Sequence, residues 1–330
     1  METRFRSVGI AGTGFYVPKK VLNNFDLGKM VDTTDEWIRT RTGIKERRIA
    51  DDNEATSDLA IEAARKALED AQISSQEIDL IIVATLSPDY LFPSTACLVQ
   101  DKLGIKGAWA LDIEAACAGF IYALSVAEAF IKSGTCKTAL VIGAEVFSRI
   151  VDWTDRNTCV LMGDGAGAVV LKEVENGRGI LSTHLGADGS RADLLKQPAG
   201  GSRLPAAEET VRQGLHFFKM HGNEVFKLAA RIMSESVITA LKKAGLSNKD
   251  IDLIIPHQAN IRILNAMARR LSLPMEKVMV NLDKYGNTTA ASIPIALDEA
   301  LKQGRIKEGD IVVLVAFGAG FTWGAAIIRW

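Results

Sequence analysis

The sequence predicts a layered α/β protein built from two similar halves. Short apolar runs rich in β-branched residues, such as IDLIIVAT at 78–85 and IVVLVAF at 311–317, have the length and composition of buried strands. They alternate with amphipathic stretches that suit helices of roughly ten to twenty residues. The chain has 330 residues, 48% of them hydrophobic, which is enough to bury a large core in such a layered arrangement.

An internal repeat indicates the two halves. The segment SSQEIDLIIVAT at 74–85 returns as SNKDIDLIIPHQ at 247–258, so that Ile78 corresponds to Ile251 at an offset of 173 residues. A helical stretch precedes each copy and another follows it. We therefore expect two duplicated βαβαβ-type halves.

The repeat continues into the next helix with a change of spacing. FIYALSVAEAFIKSG at 120–134 matches SIPIALDEALKQG at 292–304, and the offset at the helix ends is 170. At this offset Cys117 corresponds to Asn287. If both halves form parallel sheets, each of these residues begins a helix at the carboxyl end of a strand, where ligands bind in open α/β sheets.

We place the two halves at 1–175 and 176–330. The stretch 186–221 is rich in Gly, Ser, Pro and charged residues. We interpret it as an insertion in the second half that shapes a pocket.

Composition and charge exclude several classes of protein. The net charge of −1 favours neither nucleic acid nor an anionic membrane as a partner. The N-terminal METRFRSVGI lacks the apolar core of a signal peptide, and no run approaches the ~18 apolar residues of a membrane span. The four cysteines have no zinc-site or disulfide-framework spacing. We expect a reduced, soluble, cytoplasmic protein that binds no metal.

Cys117 lies in EAACAGF at 114–120, where an inert buried thiol and a nucleophile are both plausible. In the first turn of a helix the thiol would feel the positive end of the backbone dipole. Its pKa would fall, so that thiolate is available at neutral pH. The neighbouring Ala and Gly residues would leave room for a thioester substrate. These features favour the nucleophile.

The second half supplies two partners for this thiol. His257 in PHQAN follows the strand IDLII and is the only one of the four histidines at a predicted strand end. Asn287 in GNTTAAS precedes the last long helix. A hydrogen-bonded structural histidine and a helix cap are the alternatives.

Cys, His and Asn together suit two chemistries. In a cysteine hydrolase, His deprotonates the thiol and Asn orients the imidazole ring. In acyl transfer with carbon–carbon bond formation, His and Asn both donate hydrogen bonds to a carbonyl oxygen that becomes an enolate. Because the repeat places Asn287 opposite Cys117 rather than behind His257, we favour the second chemistry.

The motifs ACAGF, PHQANIRI, GNTTAAS and FGAGFTWG, together with TDEWIRTRTGI, resemble those of a β-ketoacyl-[acyl carrier protein] synthase III. This family initiates type II fatty-acid synthesis, and the resemblance extends over essentially the whole chain. It implies a thiolase-like fold of duplicated halves in five α/β/α/β/α layers, and a homodimer. Another thiolase-fold acyltransferase of secondary metabolism, or a thioester hydrolase, remains an alternative.

The resemblance also implies roles for the site residues. Cys117 would accept the acyl group of an acyl-CoA, and His257 and Asn287 would stabilise the enolate formed when malonyl-ACP loses CO2. The N–H groups of Cys117 and Ala319 would form the oxyanion hole, where many relatives have glycine in place of this alanine. Phe317 would gate the site and exclude water.

In the same family, coenzyme A stacks its adenine on Trp37, with Arg156 on the other face. The alternatives are an ordinary half-buried Trp37 and a surface salt bridge for the arginine, and a solvated basic face for the arginines predicted to dock the carrier protein. The implied CoA-binding residues are Thr33, Trp37, Arg41, Arg156, Ala259, Asn260 and Arg262. The implied docking face for acyl carrier protein consists of Arg262, Arg269 and Arg270, which share one side of a predicted helix.

The resemblance places Phe92 and Met162 at the acyl pocket, with Phe92 closing the pocket of the other subunit. A bulky residue there suggests a short primer such as acetyl-CoA, although branched primers fit as well. The glycine motifs GTGFYV at 12–17 and GDGAGA at 163–168 lack the context of a dinucleotide site. We expect no permanently bound cofactor, with acyl-CoA as substrate and the phosphopantetheine arm of ACP as carrier.

Overall fold

The structure is a computed structural model, which describes residues 6–330. The strands, in chain order, are β1 (Ser7–Tyr16), β2 (Lys20–Asn23), β3 (Glu46–Ile49), β4 (Leu80–Ala84), β5 (Trp109–Ile113), β6 (Thr138–Glu145), β7 (Gly165–Val174), β8 (Gly179–Ala187), β9 (Leu195–Lys196), β10 (Lys219–Met220), β11 (Leu253–Pro256), β12 (Ile311–Gly318) and β13 (Thr322–Arg329).

The α-helices alternate with these strands, as the apolar periodicity predicts. In chain order they are α1 (Asn24–Leu27), α2 (Asp35–Thr42), α3 (Thr56–Ala71), α4 (Thr95–Lys102), α5 (Gly119–Lys132), α6 (Glu208–Arg212), α7 (Gly222–Lys243), α8 (Ile261–Arg270), α9 (Leu282–Tyr285) and α10 (Ser292–Lys302).

Two mixed sheets organise the chain. The first has the strand order β1-β7-β6-β4-β5, in which β6, β4 and β5 are parallel and β1 and β7 pair antiparallel. The second has the order β11-β12-β13-β8, and only β11 and β12 are parallel. The condition that both sheets are purely parallel is therefore not met, although Cys117 and His257 still follow the parallel strands β5 and β11, whereas Asn287 follows α9.

The sheets and helices form five layers. Helices α5 and α10 lie between the two sheets and contact both. Helices α3 and α4 cover the outer face of the first sheet, and α7 and α8 cover the second. Because the central strands are buried on both faces, they consist of continuous apolar runs. The predicted α/β/α/β/α arrangement is confirmed.

Equivalent elements of the two halves are related by a single offset in residue number, whereas the sequence suggested two different offsets. Equivalent strands begin at Leu80 and Leu253, and the middle-layer helices begin at Gly119 and Ser292, all at an offset of 173. Helix α10 has 11 residues where α5 has 14, and the loop after α10 is longer to the same extent. Because α10 is three residues shorter than α5, the ends of the two helices are offset by 170 residues. The longer loop after α10 restores the offset of 173 at the next strand.

The correspondence of Cys117 with Asn287 is therefore wrong. At the true offset, Cys117 is equivalent to Ala290, and Asn287 is equivalent to Glu114. The two halves still bring the segments around Cys117 and Asn287 together, because the single turns before α5 and α10 contact each other.

The predicted boundary at 175/176 falls in the connection between β7 and β8. The counterpart of β5 in the second half is the short helix α9, so the second sheet has one strand fewer. Within residues 6–330, no helix is long and apolar enough to cross a membrane.

Candidate active site

Cys117 lies in a single 3-10 turn at 116–118, between the end of β5 and the first residue of α5. It therefore precedes the helix, whereas the sequence placed it in the first helical turn. Its side chain is almost buried, and the preceding Ala116 has a φ of 46°. A Cβ atom at Gly318 would lie 2.5 Å from the Cys117 backbone nitrogen, so this close approach requires glycine.

His257 directly follows β11 and is 3% exposed. Its Nδ1 lies 2.7 Å from Oγ of Ser292, and this oxygen lies 2.8 Å from the carbonyl oxygen of Thr289. Because Nδ1 is engaged by Ser292, Nε2 is the ring nitrogen that remains for a substrate. Sequence reasoning did not identify Ser292.

Asn287 is held on both its backbone and its side chain. Its N–H group donates to the Leu161 carbonyl at 2.8 Å, and its carbonyl accepts from the N–H group of Gly163 at 3.0 Å. Its Oδ1 accepts from the backbone N–H group of Thr289 at 2.9 Å. This last bond fixes the orientation of the amide and leaves the NH2 group as the donor for a substrate.

Cys117, His257 and Asn287 line one open cavity of about 700 Å³. A second, mainly apolar cavity of about 210 Å³ shares Cys117 and Asn287 with the first. The structure thus brings the three sequence candidates to one place. The large cavity has the size and shape to admit an extended thioester, and the small one has room for its acyl group.

The protonation states differ from the expectation of a thiolate. Burial raises the pKa of the Cys117 thiol to about 12, and the carboxylates of Glu145 and Glu114 act in the same direction. The backbone at Cys117 lowers this pKa, but desolvation outweighs it. Burial also lowers the pKa of His257 to about 4. The resting site therefore holds a neutral thiol and a neutral imidazole at pH 7.

The motif FGAGF at 317–321 spans the end of β12 and the turn to β13, and its Gly318 lies against Cys117. Ala319 lines the small cavity, and Phe317 lines the large one, with its ring centroid 4.7 Å from that of Phe321. The left-handed backbone in this loop is at Gly320, with a φ of 125°, and Ala319 is not among the described residues with positive φ. An alanine at 319 is therefore compatible with the loop geometry.

Trp37 lines the large cavity and has two cations close to its ring. The guanidinium carbon of Arg41 lies 4.3 Å from the ring centroid of Trp37, and that of Arg156 lies 5.3 Å from it. Arg156 also donates to the carbonyl oxygen of Asp32 at 2.8 Å. A base stacked between Trp37 and Arg156 needs about 7 Å, twice a contact of roughly 3.5 Å. Arg156 therefore has to move away from Trp37 to admit a base.

The other predicted CoA residues fall into two groups. Ala259, Asn260 and Arg262 line the large cavity, together with Asn157. Asn260 caps α8, and the Arg262 guanidinium donates to the Thr40 carbonyl at 3.0 Å.

Thr33 and Arg156 do not line this cavity. The Thr33 hydroxyl is buried and has no hydrogen-bond partner among the described residues.

Helix α7 contributes cavity-lining residues that sequence reasoning missed. They lie on its first turns at spacings of about three residues, which place them on one helix face. The residues with this spacing are Asn223, Phe226, Ala229 and Met233, and Gly222 and Val225 of the same helix also line the cavity. The amphipathic pattern of GNEVFKLAARIM, directly after the 186–221 insertion, is the signal that could have found them. The insertion itself lines the small cavity with Leu195, Lys196, Gln197, Phe218 and Met220.

The two residues predicted for the acyl pocket differ strongly in solvent exposure. Met162 is 4% exposed, lines the small cavity and pairs with Asn287. Phe92 is 86% exposed next to Leu91 and lines neither cavity of its own chain. With Tyr90 and Leu91, which are also exposed, it forms an apolar run of the kind that marks a contact with another molecule.

The arginines predicted to dock a carrier protein are all exposed on α8. Arg262 is in its first turn, and Arg269 and Arg270 are in its last. No cluster of three or more His, Cys, Asp or Glu side chains that could hold a metal ion occurs in the described part of the chain.

Comparison with known proteins gives consistent results over the whole chain. Residues 111–189 match the family model of 3-oxoacyl-[acyl-carrier-protein] synthase III, and residues 241–330 match the model of the C-terminal part of that enzyme. The chain is 58% identical over 324 residues to the β-ketoacyl-[acyl-carrier-protein] synthase III of Caldanaerobacter subterraneus, covering 98% of both chains. It is 56% identical to the enzyme of the same name from Clostridioides difficile, again covering 98% of both.

Solved structures agree with the sequence relatives. The crystal structure of 3-oxoacyl-[acyl-carrier-protein] synthase III from Aquifex aeolicus superposes with a TM-score of 0.91 at 54% identity, covering 98% of this chain and 100% of that one. The enzyme from Thermus thermophilus gives the same TM-score at 48% identity. With these identities across nearly the full length, the chain belongs to the β-ketoacyl-[acyl-carrier-protein] synthase III family.

Proposed function

We propose that Cys117, His257 and Asn287 carry out the reaction of this enzyme, which is an acyltransferase that catalyses the initiating condensation of fatty-acid synthesis. The observation that carries the assignment is the common cavity that these three residues line, with a second, apolar cavity beside the thiol. One cavity suits the thioester arm of a substrate and the other suits its acyl group.

In the first half-reaction, Cys117 attacks the thioester carbonyl of an acyl-CoA. The sulfur–acyl bond to CoA breaks as the bond to Cys117 forms, and the thiol proton ends on the CoA sulfur. The N–H groups of Cys117 and Ala319 stabilise the oxyanion. Since the resting thiol has a raised pKa, its proton has to leave as the acyl group arrives.

In the second half-reaction, malonyl-ACP replaces CoA. Loss of CO2 leaves an enolate, whose oxygen accepts hydrogen bonds from Nε2 of His257 and from the Asn287 amide. For this the Ser292 hydroxyl has to turn from the Thr289 carbonyl, to which it donates at 2.8 Å, and donate to Nδ1 instead, which leaves the ring proton on Nε2. The carbanion attacks the acyl-cysteine, giving 3-oxoacyl-ACP and a thiolate that takes up a proton.

The mouth of the large cavity supports acyl-CoA as the first substrate. Trp37 offers a flat apolar surface for a base, and Arg41 and Arg262 offer positive charge for phosphates. The exposed Arg262, Arg269 and Arg270 on α8 would dock the acidic carrier protein, with its phosphopantetheine arm entering the cavity.

A homodimer would complete the acyl pocket. The exposed run Tyr90, Leu91 and Phe92, and the exposed Trp109 on the edge strand β5, support a contact with a second copy. In that dimer the Phe92 ring of one copy would enter the small cavity of the other and leave space for a short primer such as acetyl. The free thiols of all four cysteines support a reducing, cytoplasmic location.

Intact-mass measurement tests the function directly. Wild-type protein incubated with acetyl-CoA should gain one acetyl group, and Cys117→Ala should gain none. Addition of malonyl-ACP should remove the adduct and yield acetoacetyl-ACP and CO2. An adduct that only hydrolyses, with malonyl-ACP unchanged, would contradict the proposed condensation.

A further inference from the structure

Arg47 is a buried cation that forms no ion pair of its own among residues 6–330; the carboxylate of the neighbouring Glu46 acts on it only through its charge. It lies on β3, its exposed fraction is 0%, and its guanidinium makes hydrogen bonds only to neutral oxygens. Nη1 donates to the Leu22 carbonyl at 3.1 Å and to Asn24 Oδ1 at 2.9 Å, and Nη2 donates to the Val160 carbonyl at 2.8 Å. Its Nε has no partner among residues 6–330.

A charge in this environment is energetically unfavourable. Burial lowers the pKa of Arg47 to about 10, which still leaves the group positively charged at neutral pH. A buried cation that is only partly satisfied weakens a fold relative to an apolar side chain. Stability therefore does not explain its presence, and the segments it joins offer another explanation.

The Val160 carbonyl is the first link from Arg47 to the site. The next residues along the chain, Leu161 to Gly163, form the two backbone hydrogen bonds that hold Asn287. The rigid planar guanidinium thus ties this segment to Leu22 on β2 and to Asn24, the first residue of α1.

The stem of the Arg47 side chain makes a second link. A Cβ atom at Gly163 would lie 3.0 Å from Cβ of Arg47, and one at Gly286 would lie 3.3 Å from it. Gly286 has a φ of 66° and directly precedes Asn287. Arg47 therefore packs beneath both backbone segments that meet at Asn287.

We propose that Arg47 is a positioning residue that holds Asn287 in register for decarboxylation through the 160–163 segment. The inference rests on the proposed function, in which Asn287 acts only on the malonyl thioester. Cys117 is held independently, by the turn at 116–118 and by contact with Gly318. Loss of Arg47 should therefore affect the second half-reaction and spare the first.

The test measures the two half-reactions separately in Arg47→Met. Rapid-quench intact mass gives the rate of acetylation by acetyl-CoA, and CO2 release from malonyl-ACP by enzyme alkylated at Cys117 gives decarboxylation. A misplaced catalytic group costs up to about 100-fold, so we expect decarboxylation to fall by about 10- to 100-fold while acetylation changes by less than about threefold. Equal losses in both rates would overturn the proposal.

A matched control separates positioning from general destabilisation. Leu59→Ala removes a fully buried side chain on α3, against the outer face of the first sheet and away from Arg47. It should lower the melting temperature without changing the ratio of the two rates. The same change of ratio in Leu59→Ala would contradict a specific role for Arg47.

A double-mutant cycle tests the route through Asn287. In an Asn287→Ala background, Arg47→Met should cause no further loss of decarboxylation, whereas independent effects would multiply. Arg47→Lys keeps the positive charge but lacks the planar guanidinium group. If Arg47→Met does not fold, Arg47→Lys should show the same loss of decarboxylation with acetylation preserved. Loss of the fold in both variants would assign Arg47 to stability alone and overturn the proposal. Failure of either half-reaction in the wild type would instead contradict the proposed function.

Discussion

The hydroxyl oxygen of Ser292 lies 2.7 Å from Nδ1 of His257, in a part of the site where both residues are almost fully buried. Ser292 begins α10, and His257 follows β11, so the contact joins the middle helical layer to the second sheet. It determines which nitrogen of the ring faces the substrate.

Removal of this contact should weaken the second half-reaction. In Ser292→Ala, Nδ1 of the buried imidazole loses its partner, and a buried polar atom left without a partner costs about 1–3 kcal/mol, or roughly 5- to 150-fold in rate. We expect a fall of this size in CO2 release from malonyl-ACP. Ser125→Ala, which removes a hydroxyl bonded to Thr183 away from the site, is the matched control. Unchanged CO2 release in Ser292→Ala would contradict the role of the contact.

The Cys117 thiol should react slowly and without a plateau at neutral pH. With a pKa of about 12, the thiolate fraction rises tenfold for each pH unit throughout the range from 7 to 10. Alkylation by iodoacetamide, followed by mass spectrometry of the Cys117 peptide, should show this slope. A plateau between pH 7 and 9 would mean that the thiol is activated in the empty site. Cys97, the most exposed of the four cysteines, serves as the internal reference for the rate of alkylation.

Glu145 should make the protein less stable as the pH rises. Burial raises the pKa of this carboxyl group from 4.5 to about 7, and hydrogen bonds from Ser87 and Leu86 only partly oppose the shift. Between these two pH values the folded protein keeps a proton that the unfolded chain has lost, so the free energy of unfolding falls with rising pH and the loss is complete above about 7. The shift corresponds to a loss on the order of 3 kcal/mol.

Glu145→Gln should remove this contribution. Urea unfolding between pH 5 and 8 should show a flatter pH dependence in the variant than in the wild type. Glu62→Gln, at a carboxylate on the surface of α3 whose side chain is 44% exposed, should leave the wild-type slope unchanged. Parallel curves for wild type and Glu145→Gln would show that the group titrates at its ordinary pKa.

Trp37 should contribute to nucleotide binding alone. Trp37→Ala removes the ring that Arg41 and Arg156 flank, and an aromatic contact of this kind is worth about 1–3 kcal/mol, or roughly 5- to 150-fold in affinity. The KM for acetyl-CoA should rise accordingly, with little change in kcat. The KM for a short acetyl thioester without the nucleotide should stay the same. An equal rise for both substrates would place Trp37 elsewhere than at the base.

Local sequence features predicted much of this protein. The apolar runs of β4 and β11 are continuous because both faces of these strands are covered, so their composition alone indicates buried strands. The motifs around Cys117, His257 and Asn287 were recognisable because each comes directly after a strand or before a helix. The duplication was visible because equivalent elements kept similar side chains.

Contacts between distant parts of the chain had no such signal. Arg47 looks like an ordinary surface arginine in ERRI, and only the packing of 160–163 and Gly286 over it makes it a buried cation. The shortening of α10 is offset in the following loop, so the sequence at the helix ends indicated the wrong partner for Cys117.

The sequence by itself determined the fold class, the duplication and the three residue types of the site, because periodicity and motifs are properties of neighbouring residues. Only the tertiary structure decided the register of the halves and the protonation of Cys117, His257 and Glu145. These depend on burial, and burial arises from elements that are far apart along the chain and meet only when the five layers pack.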